Sequence, residues 1–158
     1  MEKPSNAILK DSKLYQVGIV VRDLQQSIEQ FRNVLGIDTW RVIDINPSTA
    51  RDLTYYGRPV KHGFKIALAM VGSIEVELIQ PIEGDNIYSD FLKKHGEGLH
   101  HLGHVKVQNL DEAIQVLEKV GFSCMQTGRV TDGAYAYMDT VKSLGVILEL
   151  FEFARGAP

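Results

Sequence analysis

Apolar residues recur along this chain in two registers, and the pair of registers occurs twice. From Leu14 the sequence reads LYQVGIVVRDLQQSIEQFRNVLGI, and from Leu99 it reads LHHLGHVKVQNLDEAIQVLEKVGF. Each stretch opens on an alternating or apolar run of strand type. Each then carries a helix-start signal, Asp23 followed by Gln26 and Asn109 followed by Glu112. In that arrangement a side-chain acceptor serves the free N–H groups of the first turn. Leu24, Ile28, Phe31 and Leu35 space one apolar helix face, as do Leu110, Ile114, Leu117 and Val120. Both helices stop at a glycine, Gly36 or Gly121, suited to a left-handed cap.

The correspondence continues. FKIALAMVGSIEVELIQP (64–81) and AYAYMDTVKSLGVILELFEF (134–153) each read as strand, turn, strand. One more strand fits around Thr39–Ile45 and around Ser123–Arg129. The expected fold class is α+β, with two βαβββ modules, 13–81 and 99–153, forming one domain. Their sheets are expected to meet as a curved, partly closed surface around a cleft, with the helices outside. The linker, 82–98, carries a predicted short helix over Ile87–His95 that ends at Gly96.

Strand parity selects the side chains that face the cleft. Gln16, Gly18 and Val20 share one face of the first strand, and His101, Gly103 and Val105 share the matching face of its repeat. On the last strands VELIQ and LELFE align Glu77 with Glu149. Either glutamate alone reads equally well as the water-facing residue of an alternating strand. A carboxylate at the same place in both repeats shifts the reading toward a shared site. Two carboxylate oxygens, an amide oxygen and an imidazole nitrogen neutralise a divalent cation and leave positions open for substrate. Of the three histidines in EGLHHLGHVKV, His101 is the expected ligand. His104 is an odd number of residues away and is expected on the opposite side of the strand, at the surface or against a helix. His100 is likewise expected to point away and pack against the linker.

Composition narrows the classes without choosing among them. The chain of 158 residues is long enough for one full-sized domain or two small halves sharing a core. Its 44% hydrophobic and 23% charged residues are those of an ordinary globular protein. A net charge of −3 offers no basic footprint for nucleic acid or an anionic membrane surface. The apolar run in MEKPSNAILKDS is too short for a secretory core, and no window has the length of a membrane span. The single cysteine, Cys124, excludes an intramolecular disulfide and a multi-thiolate metal site. A cytoplasmic location is expected.

QVGIVVRDL, VELIQP, EGLHHLGHVKV and GVILELFE together resemble the vicinal oxygen chelate superfamily, the group of glyoxalases, bleomycin-resistance proteins and extradiol dioxygenases. The resemblance spans about residues 13–153. It implies one divalent metal per site (Zn, Co, Ni or Mn), held by Gln16, Glu77, His101 and Glu149. Within the superfamily, IYSDFLKKHGEGLHHLGH is most similar to the methylmalonyl-CoA epimerases. That likeness implies a metal-dependent epimerase or isomerase moving an α-proton beside a carbonyl. The implied substrate is a small molecule such as an acyl-CoA thioester, with Glu149 as one acid/base group. Exposed sheet edges, together with the resemblance, imply a homodimer.

Two departures stand against that likeness. Epimerases commonly begin the first strand with histidine, whereas this chain has Gln16. Zinc-type glyoxalase I uses a Gln, Glu, His, Glu set in this order, so a lactoylglutathione lyase activity is an alternative. Two glutathione contacts of that enzyme, an arginine and an asparagine, correspond here to Val20 and Pro81. The epimerases also use a non-ligand carboxylate near the start of the third strand, where this chain has Lys61 or His62. Those two are the candidates for a second acid/base. A further alternative is a metal-free small-molecule binding or resistance protein of the same fold. The segment 46–63 is longer than the family norm and is expected either as a lid, through Tyr55, Tyr56, Gly57 and Arg58, or as a variable surface loop.

Overall fold

In the computed structural model, which describes residues 13–156, the first module runs β1 (Gln16–Val20), α1 (Leu24–Leu35), β2 (Arg41–Ile45), β3 (Arg51–Tyr55), β4 (Arg58–Pro59), β5 (Gly63–Val71) and β6 (Ile74–Glu83). The linker helix is α2 (Ile87–His95). The second module runs β7 (Gly98–Lys106), α3 (Leu110–Lys119), β8 (Cys124–Val130), β9 (Gly133–Met138), α4 (Val141–Leu144) and β10 (Ile147–Phe153). The amino-terminal segment, expected not to hold a secretory core, lies outside the described residues. Among the described residues no helix is long and apolar enough to cross a membrane.

The helix starts form as the sequence predicts. Asp23 accepts the Gln26 N–H at 2.9 Å, and Asn109 accepts the Glu112 N–H at 3.0 Å. Leu24 and Ile28 of α1 are buried against Ala67, Val76 and Leu78 of the sheet. Leu110 and Ala113 of α3 are buried against Ala134, Ala136 and Leu150. Full burial of a side chain such as Leu78 stabilises by roughly 1.5–3 kcal/mol relative to exposure. Leu35 and Val120, assigned by spacing to the buried faces, are 62% and 54% exposed and take no part in these clusters.

One ten-stranded sheet joins both modules, in the order β2-β5-β6-β1-β7-β10-β9-β8-β3-β4. The join is the antiparallel pairing of β1 with β7, so β6, β1, β7 and β10 lie side by side at its centre. These are the four strands that carry Gln16, Glu77, His101 and Glu149. The sheet curls strongly. Arg41 on the edge strand β2 reaches Asp132 in the β8–β9 turn of the other arm, Nη1 to Oδ2, at 3.9 Å.

Residues 51–59 of the long segment 46–63 form a hairpin, and none of Tyr55, Tyr56, Gly57 and Arg58 lines the cleft. Strand β3 leaves the first module and pairs antiparallel with β8 of the second, where the Thr54 and Thr127 hydroxyls meet at 2.6 Å. Tyr56 and Gly57, with φ of 46° and 76°, turn the chain into β4. Two successive left-handed residues match the right-handed twist of the flanking strands. Tyr55 donates to Asp90 of α2 at 2.6 Å. The hairpin thus covers an edge of the second module that would otherwise be open.

Candidate metal centre

Gly18 of β1 stands opposite Glu77 on one side and His101 on the other. A Cβ at Gly18 would run into the His101 imidazole, so the absent side chain is the space in which that ring lies. At Gly103, the matching glycine of the second repeat, a Cβ would crowd Glu149 Oε2 and Gln16 Oε1. The two glycines form the floor of one compact site.

The four expected ligands converge above that floor. His101 Nε2 lies 3.2 Å from Gln16 Oε1, 3.3 Å from Glu77 Oε2 and 3.5 Å from Glu149 Oε2. The ligand atoms of Glu77, His101 and Glu149 lie within 4.8 Å of one another. All four residues are at most 6% exposed. One imidazole N–H cannot serve three oxygens, and Glu77 Oε2 and Glu149 Oε2 are buried without a hydrogen bond. Leaving charged oxygens bare in the interior is costly, whereas a divalent cation between them would satisfy both. The donor set therefore fits a divalent metal, with His101 offering Nε2 and the other three offering oxygen.

Without a cation, His101 supplies the positive charge. Burial opposes its charged form, but the carboxylates of Glu149 and Glu77 outweigh burial and raise it to about 9. Burial, joined by the charge of Glu149, raises Glu77. Burial pushes Glu149 upward too, but His104, His101 and a hydrogen bond from Tyr137 together hold it below the ordinary carboxylate range. The Tyr137 hydroxyl accepts from Tyr88 of α2 at 2.8 Å.

His104 corrects the sequence reading. It faces the site, with Nε2 3.4 Å from Glu149 Oε2 and 3.1 Å from Gln16 Nε2. Leu102 pairs with Leu148 and Val105 with Leu150, so Gly103 and His104 both stand opposite Glu149. This β-bulge adds one residue to the local count and turns His104 to the side that His101 already faces. His100 packs as expected on the linker helix, its ring centroid 5.2 Å from Tyr88 and 5.1 Å from Phe91. Its Nδ1 also meets His101 Nδ1 at 3.1 Å.

A cavity of about 420 Å³ opens above the cluster, with Ile43, Phe64 and Ile66 on one wall and Tyr135, Tyr137 and Phe151 on the other. Lys61 and His62 do not line it. Lys61 is exposed. His62 is fully buried at the start of β5, with Nδ1 2.9 Å from the Asp85 carbonyl and its ring beside Phe64. Burial lowers the pKa of His62.

Sequence reasoning missed His104, Glu75, Tyr135 and Tyr137 as neighbours of the site. Parity signals for three of them were present: Glu75 precedes Glu77 by two residues, and the tyrosines alternate with alanines in AYAYM. No local signal marks the bulge that turns His104.

A family model described as the glyoxalase/bleomycin resistance protein/dioxygenase superfamily matches residues 15–138. The mitochondrial methylmalonyl-CoA epimerase of Mus musculus is 26% identical over 116 residues, 73% of this chain and 57% of that protein. This chain thus spans little more than half the length of that relative. The crystal structure of methylmalonyl-CoA epimerase from Mycobacterium tuberculosis superposes with a TM-score of 0.63 at 25% identity, covering 89% of this chain and 87% of that one. A Streptomyces coelicolor methylmalonyl-CoA epimerase in complex with 2-nitronate-propionyl-CoA shares the fold, with a TM-score of 0.67 at 18% identity over 93% of this chain and 98% of that one. By the extent of the family match and the paired modules that carry it, the chain belongs to the glyoxalase/bleomycin resistance protein/dioxygenase superfamily.

Proposed function

We propose that the protein is a metal-dependent epimerase that moves an α-proton beside the carbonyl of an acyl-CoA thioester, in the manner of a methylmalonyl-CoA epimerase. The observation that carries this reading is the pair of bare, buried carboxylate oxygens, Glu77 Oε2 and Glu149 Oε2, flanking His101 under a cavity. The similarity to epimerases in sequence and fold supports the same class. The homodimer and cytoplasmic setting expected from the sequence are part of this reading.

Gln16, Glu77, His101 and Glu149 would hold the divalent ion, whose chemistry would be Lewis-acid stabilisation of negative charge at the substrate's carbonyl oxygen. The remaining work falls to the chain. Ile43, Phe64 and Ile66 exclude water from one side of the cavity, which strengthens every charge interaction within it. Glu149, held below the ordinary carboxylate range by its neighbours, is the candidate base for the α-proton. Glu77, its counterpart in the other repeat, lines the same cavity and is the candidate for the second acid/base group. Lys61 and His62 have no part in this scheme, because neither lines the cavity.

The test is metal analysis of gently purified protein, followed by exchange of the α-proton of methylmalonyl-CoA in deuterated water, read by NMR. Stoichiometric metal and metal-dependent exchange support the reading. Exchange that is undiminished after the metal is stripped would overturn it.

A further inference from the structure

We propose that Glu75 and His104 clamp the amide nitrogen of Gln16 and so aim its oxygen into the cluster, making them positioning residues for a neutral ligand. The proposal rests on the metal reading of the site. A glutamine amide presents an oxygen at one end and an NH2 group of nearly the same size at the other. Only the oxygen can hold a cation, and a cation facing the NH2 end is repelled. A glutamine ligand therefore needs something outside the metal to choose its orientation.

Two side chains make that choice here. Gln16 Nε2 donates to Glu75 Oε1 at 2.8 Å. Ionised carboxylates only accept hydrogen bonds, so the end of the amide that faces Glu75 must be the nitrogen. The second N–H points at His104 Nε2, 3.1 Å away. In its neutral form His104 then accepts at Nε2, which also lies 3.4 Å from Glu149 Oε2; that puts the ring proton on Nδ1, 3.1 Å from the Tyr15 hydroxyl. Phe151 holds the ring, with centroids 4.5 Å apart, and Tyr15 meets it edge-on at 5.6 Å. With both N–H bonds occupied on the outer side, Oε1 is left facing His101 Nε2 at 3.2 Å.

Strand register places these groups. Gln16 and Glu75 are register partners across the parallel β1–β6 pair. His104 arrives through the bulge in β7 opposite Glu149. Without that extra residue, its ring would turn to the other side of the sheet.

Cobalt affinity is measured on metal-free protein by competition with a chelating dye. Four proteins are compared: native, His104→Phe, Gln16→Glu and the double variant. His104→Phe should weaken Co2+ binding by about tenfold to a hundredfold, the usual range for losing an outer partner of a ligand. In the Gln16→Glu background the same change should have little effect, because a carboxylate has two equivalent oxygens and no wrong end. Equal losses in both backgrounds would mean that His104 binds the metal itself or acts through Glu149, and would overturn the clamp. No loss in the Gln16 background would also overturn it.

Nitrogen NMR of the metal-free protein provides a readout independent of metal. It should show His104 protonated at Nδ1 and bare at Nε2, and a Gln16 side-chain amide that shifts when Glu75→Gln is introduced. A proton on His104 Nε2, or an unmoved Gln16 amide, counts against the clamp even in a folded variant. If the native protein binds no Co2+, the metal reading fails while the NMR result still decides the clamp.

Discussion

His101 and Gln16 hold the same position in the two repeats, 85 residues apart, and their Nε2 and Oε1 atoms meet at 3.2 Å. The antiparallel pairing of β1 with β7 produces this meeting. Each half contributes a first-strand ligand and a last-strand carboxylate, and neither half holds a complete set.

Gly18→Ala should disable the site from beneath. The added methyl enters the space of the His101 ring, so either the ring leaves the cluster or β1 shifts. The expected cost to stability is about 1–3 kcal/mol, typical of overpacking a dense interior. Urea unfolding and a metal titration of the same variant check both parts. Native-like metal affinity would show that the ring does not lie over Gly18.

The protein's response to pH should differ in sign with and without metal. His101, ordinarily near 6.5, is raised to about 9 in the folded, metal-free chain. Its contribution to stability is therefore complete below about pH 6.5 and lost as pH rises through about 9. Metal must displace that proton, so affinity should improve by about tenfold per pH unit below 9. Denaturation of stripped protein and metal titration across pH 6.5–9 should give opposite slopes. Slopes of the same sign would show that His101 is not the proton that metal displaces.

Addition of metal should also raise the melting temperature. At a free metal concentration of 100 times Kd the stabilisation is about 2.7 kcal/mol. For a domain of this size that corresponds to a rise of roughly 5–10 °C. Thermal scans with and without chelator measure it, and coincident melting curves would count against a metal held by the folded state.

The glutathione hemithioacetal should not be turned over usefully. Val20 is completely buried in the core, and Pro81 offers no amide to the tripeptide. The expected kcat/KM lies below ~10⁴ M⁻¹s⁻¹, the low end of ordinary enzymes. A value above that would favour a lactoylglutathione lyase.

A homodimer is expected in solution. Strands β2 and β4 end the sheet with unpaired edges among the described residues, and such edges tend to be paired or covered. Sedimentation at micromolar concentration should report about twice the 17.7 kDa of one chain. Since all four candidate ligands lie in one chain, dilution to monomer should leave the metal in place.

Much of the architecture was legible because it is local. Capped helices, a glycine-ended linker helix at Ile87–His95 and hairpins of alternating residues each depend on spacing within a few turns or a few pleats. Their recurrence in order disclosed the two modules, and matched positions singled out Gln16, Glu77, His101 and Glu149. The tertiary structure decided the rest, because it depends on which strands become neighbours. His104 enters the site only through a bulge defined by pairing with β10. Lys61 and His62 are left outside the cavity by the way β5 begins. The segment 46–63 crosses to the other module because Arg51 and Thr54 find register partners in Arg129 and Thr127. A residue's own pattern fixes how its strand alternates, but its pairing partner fixes where the count slips, and that partner lies far along the chain.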